Sequence, residues 1–136
     1  MIAPAYMDNS RLAELIKKLA DTMIEEQLGY WKFEYADHLL FVITDESHNR
    51  MRIISPIIAI DDVKADEWTA MMRANFDRAL DARYCVNNDT LWSAYIHPLQ
   101  ELASQQFLDA IDQVVVLAAN FGTSYSSSNL VFGGDE

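Results

Sequence analysis

The chain has 136 residues, a hydrophobic share of 51%, and a formal net charge of −11 with a sequence pI near 4.5. This length fits a single globular domain that buries its own core. The ten Lys and Arg residues are dispersed along the chain, which excludes nucleic acid and an anionic membrane surface as partners because both require clustered positive charge.

Two features of the sequence predict a cytoplasmic protein. The first residues, MIAPAYMDNSRLAELIKK, lack the basic region, apolar stretch and cleavage site of a secretory signal, and no apolar run approaches the ~18 residues that span a bilayer. Cys85 is the only cysteine, so an intrachain disulfide cannot form, which suits a reducing compartment.

Helical spacing predicts a first helix over residues 10–28, with Ser10 as its N-cap and Gly29 as its C-cap. The apolar positions recur at intervals of three and four residues: Leu12, Leu15, Ile16, Leu19 and Met23. Charged residues occupy the opposite side, so we expect one buried and one solvated face.

Three strands are predicted next, because the period of the apolar residues changes to two at Trp31. A turn at residues 36–38 leads to LLFVITD, which has apolar residues on both sides, and then to MRIISPIIAI, which Pro56 interrupts or bends. The short turns between these strands favour an antiparallel meander.

A second helix and a hairpin follow. The helix begins at Asp61 or Asp62 and runs to about Asp81, and RYCV and LWSAYI form the strands of the hairpin. The helix repeats apolar residues at helical spacing: Trp68, Met71, Met72, Phe76, Ala79 and Leu80.

The third helix runs from Ser104 to the region of Gly122 and is apolar over an arc of about 200°, against about 100° for a surface helix. Its flanks, around Val115, Leu117 and Ala119, are expected to meet the first helix or a second chain. Its central row is expected to pack on the sheet: Phe107, Ile111, Val114, Ala118 and Phe121.

The predicted order is therefore α-β-β-β-α-β-β-α, an α+β domain with an antiparallel sheet over residues 1–122. Residues 123–136 are rich in Ser and Gly and are predicted to form a mobile tail, in which residues 130–132 could dock.

No catalytic, cofactor or metal site is predicted. The four glycines form no phosphate-binding loop, and His38, His48 and His97 lie far apart without an HExxH motif. Adjacent carboxylates such as Asp45 and Glu46 stand at turns, where structural roles are the usual ones. A hydrolase or small-ligand site whose carboxylates and histidines converge on folding stays open as an alternative, and it predicts a deep pocket.

The aromatic and apolar residues carry more information. Helices on one face of the sheet leave the other face to be explained, and LLFVIT and LWSAYI have apolar residues on both sides. Another copy of the chain or an extended peptide would cover those outward residues.

The order of elements, the acidic pI and the apolar last helix resemble class I type III secretion chaperones and, more closely, YbjN-like proteins. The resemblance covers residues 10–122, and three segments carry it: RMRIISPI, RYCVNNDTLWSAYIHPL and FLDAIDQVVVLAANFG. It implies the type III secretion chaperone-like fold and a homodimer without enzymatic activity that binds segments of a client protein.

The same resemblance implies regions for the two kinds of contact. The expected client-binding residues are Trp31, Phe33, Tyr35, Phe41 and Ile43, and the expected dimer residues are Trp68, Met71, Met72, Tyr84 and Trp92. The alternative that the resemblance allows is a regulatory protein of the YbjN-like type that binds one specific partner in signalling or stress response.

Overall fold

A six-stranded antiparallel sheet with three helices forms the domain, and the computed structural model describes residues 6–128. This confirms the predicted α+β class with an antiparallel sheet. The elements are α1 Asn9–Leu19, β1 Thr22–Gln27, β2 Tyr30–Tyr35, β3 His38–Asp45, β4 Arg50–Ala59, a short 3-10 helix Ile60–Asp62, α2 Ala65–Asp77, β5 Arg83–Asn87, β6 Thr90–Pro98 and α3 Ser104–Ala119.

The predicted first helix is wrong beyond Leu19, and the predicted order lacks one strand. At Ala20 the backbone becomes extended (φ −65°, ψ 132°), and Thr22–Gln27 form the edge strand β1. The Asp21 carboxylate accepts a hydrogen bond of 2.9 Å from the backbone N–H of Ala36, which joins the start of β1 to the end of β2. Gly29, with a φ of +95°, forms the β1–β2 turn instead of a helix cap.

The strands lie in the order β1-β2-β3-β4-β6-β5, so β4 pairs with β6 and the hairpin of β5 and β6 closes the far edge. Pro56 interrupts the regular register, as predicted, with a bulge between Pro56 and Ile58. Because Pro56 has no N–H to offer β3, the hydroxyl of Ser55 donates to the carbonyl of Leu39 at 2.8 Å.

The core lies between the helices and one face of the sheet, which we call the inner face. The central row of α3 packs there as predicted, with Phe107, Ile111 and Val114 fully buried. Two side chains of the sheet also bond to backbone carbonyls of α3: the Ser93 hydroxyl donates to Val114 and the Tyr84 hydroxyl to Leu117, at 2.8 and 2.9 Å. The sheet therefore holds α3 by packing and by directed hydrogen bonds.

Helix α2 is shorter than predicted at both ends. Asp61 and Asp62 belong to the 3-10 helix, and α2 begins after Lys64, whose backbone N–H donates to the carboxylate of Glu67 at 2.9 Å. The helix ends at Asp77. A compact turn then leads into β5.

The chain beyond α3 returns along α2. The backbone N–H of Ser127 donates to the carbonyl of Arg78 at 3.1 Å, and the ring of Tyr125 stacks edge-on against Tyr84 and Phe121. Residues 130–132, for which the sequence allows docking, lie outside the described residues. No helix within residues 6–128 is long and apolar enough to cross a membrane.

Candidate functional site: the uncovered face of the sheet

The face of the sheet opposite the helices, which we call the outer face, is apolar over its central strands. Strand register places on it the alternate residues that do not enter the core. Its central part consists of Leu39, Phe41 and Ile43 from β3, Arg52, Ile54 and Pro56 from β4, and Trp92, Ala94 and Ile96 from β6. No element of the described chain packs over this surface.

An aromatic cluster marks the middle of the outer face. The ring of Phe41 lies edge-on to Tyr30 and to Trp92, with centroids 6.2 and 6.0 Å apart. The ammonium of Lys32 lies 5.7 Å from the centre of the Phe41 ring, within reach of a cation–π contact. The cluster is thus a half-buried, ordered apolar platform.

Two connected depressions form a groove along this face. The larger, about 820 Å³, reaches from the β1–β2 turn to the β3–β4 turn and includes Leu28, Ile43 and Arg50. The smaller, about 240 Å³, includes Ile54, Trp92 and Val86. Both are lined by Arg52 and Ile96, so they meet at the centre of the sheet. The groove is partly open to solvent.

The larger depression is lined by two arginines, Arg50 and Arg52, and by the carboxylates of Asp45 and Glu46. Within residues 6–128, the guanidinium groups of Arg50 and Arg52 form no ion pair and no hydrogen bond. Arg83, the next arginine on this side, differs because its guanidinium donates to the carbonyls of Leu80 and Ala82.

Helix α2 presents a second exposed apolar surface. Met72 is 57% exposed and Phe76, four residues later on the same side, is 92% exposed. These values are high for large apolar side chains on an ordered helix. This surface lies beside β5, at the edge of the sheet.

The structure corrects the predicted client-binding set. Trp31 and Phe33 are fully buried on the inner face, because β2 directs them toward the helices. Tyr35 is half-buried and donates to the carboxylate of Asp112 at 2.9 Å, and this hydrogen bond raises the pKa of Tyr35. Only Phe41 and Ile43 lie on the outer face. Contact on the outer face is therefore available to two of the five residues.

The predicted dimer set is also divided by the structure. Met71 and Tyr84 are buried, and burial raises the pKa of Tyr84. Trp68 is partly buried against the core, Met72 is exposed on α2, and Trp92 lies on the outer face. The five residues therefore do not form one surface.

Several outer-face residues were not predicted as site residues: Arg52, Ile54, Ala94 and Ile96. A period-two reading of RMRIISPI would have separated Arg50, Arg52 and Ile54 from Met51 and Ile53. The same reading does not say which set faces the helices.

Ser47, His48 and Asp45 of the β3–β4 turn do not form a serine–histidine–aspartate relay. In the β3–β4 turn, hydrogen bonds from Ser47 and His48 hold the pKa of Asp45 at about 2. The His48 Nδ1 atom lies 2.8 Å from Asp45 and 3.2 Å from the Ser47 hydroxyl, whereas a serine–histidine–aspartate relay uses both ring nitrogens. Burial raises the pKa of Cys85, which favours the protonated thiol.

Within the described residues, no three His, Cys, Asp or Glu side chains lie close enough together to hold a metal ion. No protein-family model and no curated protein sequence matches this chain.

Several solved structures share its fold, among them the following two. A chain of the HopA1–SchA chaperone–effector complex superposes with a TM-score of 0.63 and 8% identity, over 82% of this chain and 90% of that chain. The Yersinia pestis type III secretion chaperone SycH, in complex with a stable fragment of YscM2, superposes with a TM-score of 0.60 and 12% identity, over 83% of this chain and 98% of that chain. The chain therefore has the fold of type III secretion chaperones.

Proposed function

We propose that this chain is a cytoplasmic chaperone-like protein, without catalytic activity, that binds segments of other proteins on the outer face of its sheet. The observation that carries the proposal is the uncovered apolar platform around Phe41, Ile54 and Trp92 on this fold. Both structural neighbours come from complexes of a chaperone with another protein, which supports a protein rather than a small molecule as the ligand.

The shape of the outer face agrees with an extended polypeptide. Small-molecule sites usually enclose most of their ligand in a concave pocket, whereas both depressions of this groove are partly open to solvent. An extended segment places its side chains alternately up and down, so every second side chain would meet the platform. The large exposed apolar area is what such contacts require.

We further propose that the protein is a homodimer and that Met72 and Phe76 of α2 contribute to the contact between copies. Their exposure on one side of the helix supports this assignment, because burial of a Phe or Met side chain contributes about 1.5–3 kcal/mol. Membership of the YbjN-like family is likewise a proposal, and it rests on the resemblance of the three segments quoted above.

Site-specific photocrosslinking in the source cell tests the function. A benzophenone amino acid replaces Phe41 on the outer face, and in a matched control it replaces Glu14, which is exposed on α1. We expect adducts with other proteins at position 41 and few at position 14. The crosslinked peptides, identified by mass spectrometry, should come from extended segments of those proteins.

Two outcomes would count against the proposal. Equal adducts at both positions would mean that the outer face has no special affinity for protein. A stoichiometric complex with a single folded protein, crosslinked through a folded surface, would favour the regulatory function instead.

A further inference from the structure

The outer face combines apolar residues with positive charge in an acidic protein. The chain has a net charge of −11, yet two cations lie near the centre of the face: Lys32 over the Phe41 ring, and Arg52 between Ile43 on β3 and Ile96 on β6. Arg50 follows on the same side of β4, one pleat repeat or about 7 Å away. Ile54 and Pro56 follow on the same side in the other direction along β4. The outward residues of β4 are therefore cationic in its first half and apolar in its second half.

The carboxylate nearest to Arg50 in the ladder is already occupied. Asp45 pairs with Arg50 across the two strands, but its two oxygens accept hydrogen bonds from Ser47 and His48 of their own turn, at 2.7 and 2.8 Å. The turn therefore engages both oxygens of Asp45 in short hydrogen bonds, while its negative charge stays across the ladder from Arg50. Two exposed guanidinium groups remain without an ion-pair partner among residues 6–128.

We propose that the outer face selects extended segments that carry carboxylates at one end, for Arg50 and Arg52, and apolar side chains at the other, for Phe41, Ile54 and Trp92. This inference rests on the proposed function and names the chemical class of its ligand. Guanidinium groups bind carboxylates with two parallel hydrogen bonds, and both guanidinium groups are exposed and able to make them. A basic segment would be repelled by the same two groups.

A second copy of the chain is a less suitable occupant of this face. The apolar surface of α2 is exposed beside β5, and it offers contact between copies without covering Arg50 or Arg52. With copies in contact through α2, the outer face stays available to a separate acidic segment.

Fluorescence anisotropy with two labelled peptides tests the proposal. The acidic peptide alternates Glu with Ser in its first half and Leu or Phe with Thr in its second, and the basic peptide has Lys in place of every Glu. We expect the acidic peptide to bind at least about tenfold more tightly at low salt. Raising the NaCl concentration should reduce the difference, because salt screens exposed charges.

Reversing the charge of Arg52 tests whether the groove is the site that binds the acidic peptide. Arg52→Glu should weaken the acidic peptide by about tenfold and strengthen the basic one, whereas Lys18→Glu, the same charge change on the exposed side of α1, should alter neither. Arg52→Lys, which retains the charge, should keep most of the preference, and circular dichroism checks that each variant is folded.

Three other results would contradict the proposal that the outer face selects acidic segments. Equal binding of both peptides, unchanged by Arg52→Glu, would overturn the acidic class while leaving the proposed protein-binding function intact. Binding of neither peptide would overturn both. A dimer that Arg52→Glu dissociates would mean that a second copy occupies the outer face.

Discussion

Ser93 is a polar residue at the centre of the core, and its hydroxyl joins the sheet to α3 by a hydrogen bond. It is fully buried on β6 and donates to the carbonyl of Val114 in α3 at 2.8 Å. A hydroxyl buried without an acceptor would destabilise the fold, so this bond lets a small polar side chain occupy the narrow space between sheet and helix.

Replacing Ser93 by Ala should lower the free energy of unfolding by about 1 kcal/mol, because it removes the hydrogen bond with little change in volume. Urea denaturation of the pure protein measures the loss. Ser10→Ala, at an exposed position of α1, is the matched control and should change the stability by less than about 0.5 kcal/mol. Equal effects at the two positions would show that the bond to α3 does not stabilise the fold.

The carboxyl group of Asp45 should titrate far below its ordinary value. Hydrogen bonds from Ser47 and His48 lower its pKa from 3.8 to about 2. A carboxyl with a depressed folded-state pKa stabilises the protein fully above its unfolded-state pKa, and this contribution is lost as the pH falls through about 2. The β3–β4 turn should therefore loosen only in strong acid.

NMR titration of the Asp45 carboxyl carbon checks this prediction. Removing the first hydrogen bond with Ser47→Ala should move the pKa of Asp45 upward toward 3.8. Thr69→Ala, which removes a hydroxyl from the exposed side of α2, is the matched control and should leave the pKa of Asp45 at about 2. An Asp45 pKa near 3.8 in the unmodified protein would contradict the prediction.

At the scale of elements, α2 closes one edge of the sheet through Asn75. The Asn75 side chain accepts from the backbone N–H of Tyr84 at 2.8 Å and donates to the carbonyl of Tyr84 at 3.2 Å. These are backbone groups of β5, the edge strand, which would otherwise offer a template for another strand. One amide side chain thus satisfies both groups and joins α2 to the sheet.

Asn75→Ala should destabilise the protein by about 1–3 kcal/mol, because it leaves two backbone groups of a largely buried residue without partners. The amide of Tyr84 should also exchange its hydrogen faster, which hydrogen-exchange mass spectrometry or NMR detects. Asn87→Ala, at the exposed end of the same strand, is the matched control. Unchanged exchange at Tyr84 would show that Asn75 does not protect the edge.

The missed strand β1 shows where the sequence signal is weak. Leu19 and Met23 keep a spacing of four, so the periodicity continues smoothly from α1 into TMIEEQ. All but one residue of β1 are exposed, and an exposed edge strand has no buried side to produce a period of two. Pairing with β2 stabilises β1, and the sequence of β1 alone does not predict that pairing.

The assignment of strand faces shows a different limit. The sequence correctly separates Trp31 and Phe33 from Lys32 and Glu34, but it does not say which set meets the helices. The face that becomes buried is the one on which α3 packs. Trp31 and Phe33 lie on that face, whereas Phe41 and Ile43 face outward. A fold was therefore predictable, and the surface that could bind a partner was predictable only in part.

For the molecule as a whole, net charge and apolar surface have opposite effects on association. A charge of −11 keeps acidic surfaces of separate copies apart, while Met72 and Phe76 favour contact at one place on α2. Association should therefore be limited to a defined small oligomer instead of open aggregation, with the outer face remaining accessible.

We expect light scattering after size exclusion to give twice the chain mass of 15.5 kDa, and this mass should persist on dilution. Phe76→Asp should yield a folded monomer, because it places a charge where the proposed contact buries a phenyl ring. Lys18→Asp on α1 introduces the same residue at a remote exposed position and should remain dimeric. A chain that stays at 15.5 kDa at every concentration, or a Phe76→Asp dimer, would exclude α2 as the contact and leave Met72 and Phe76 as a second surface for other proteins.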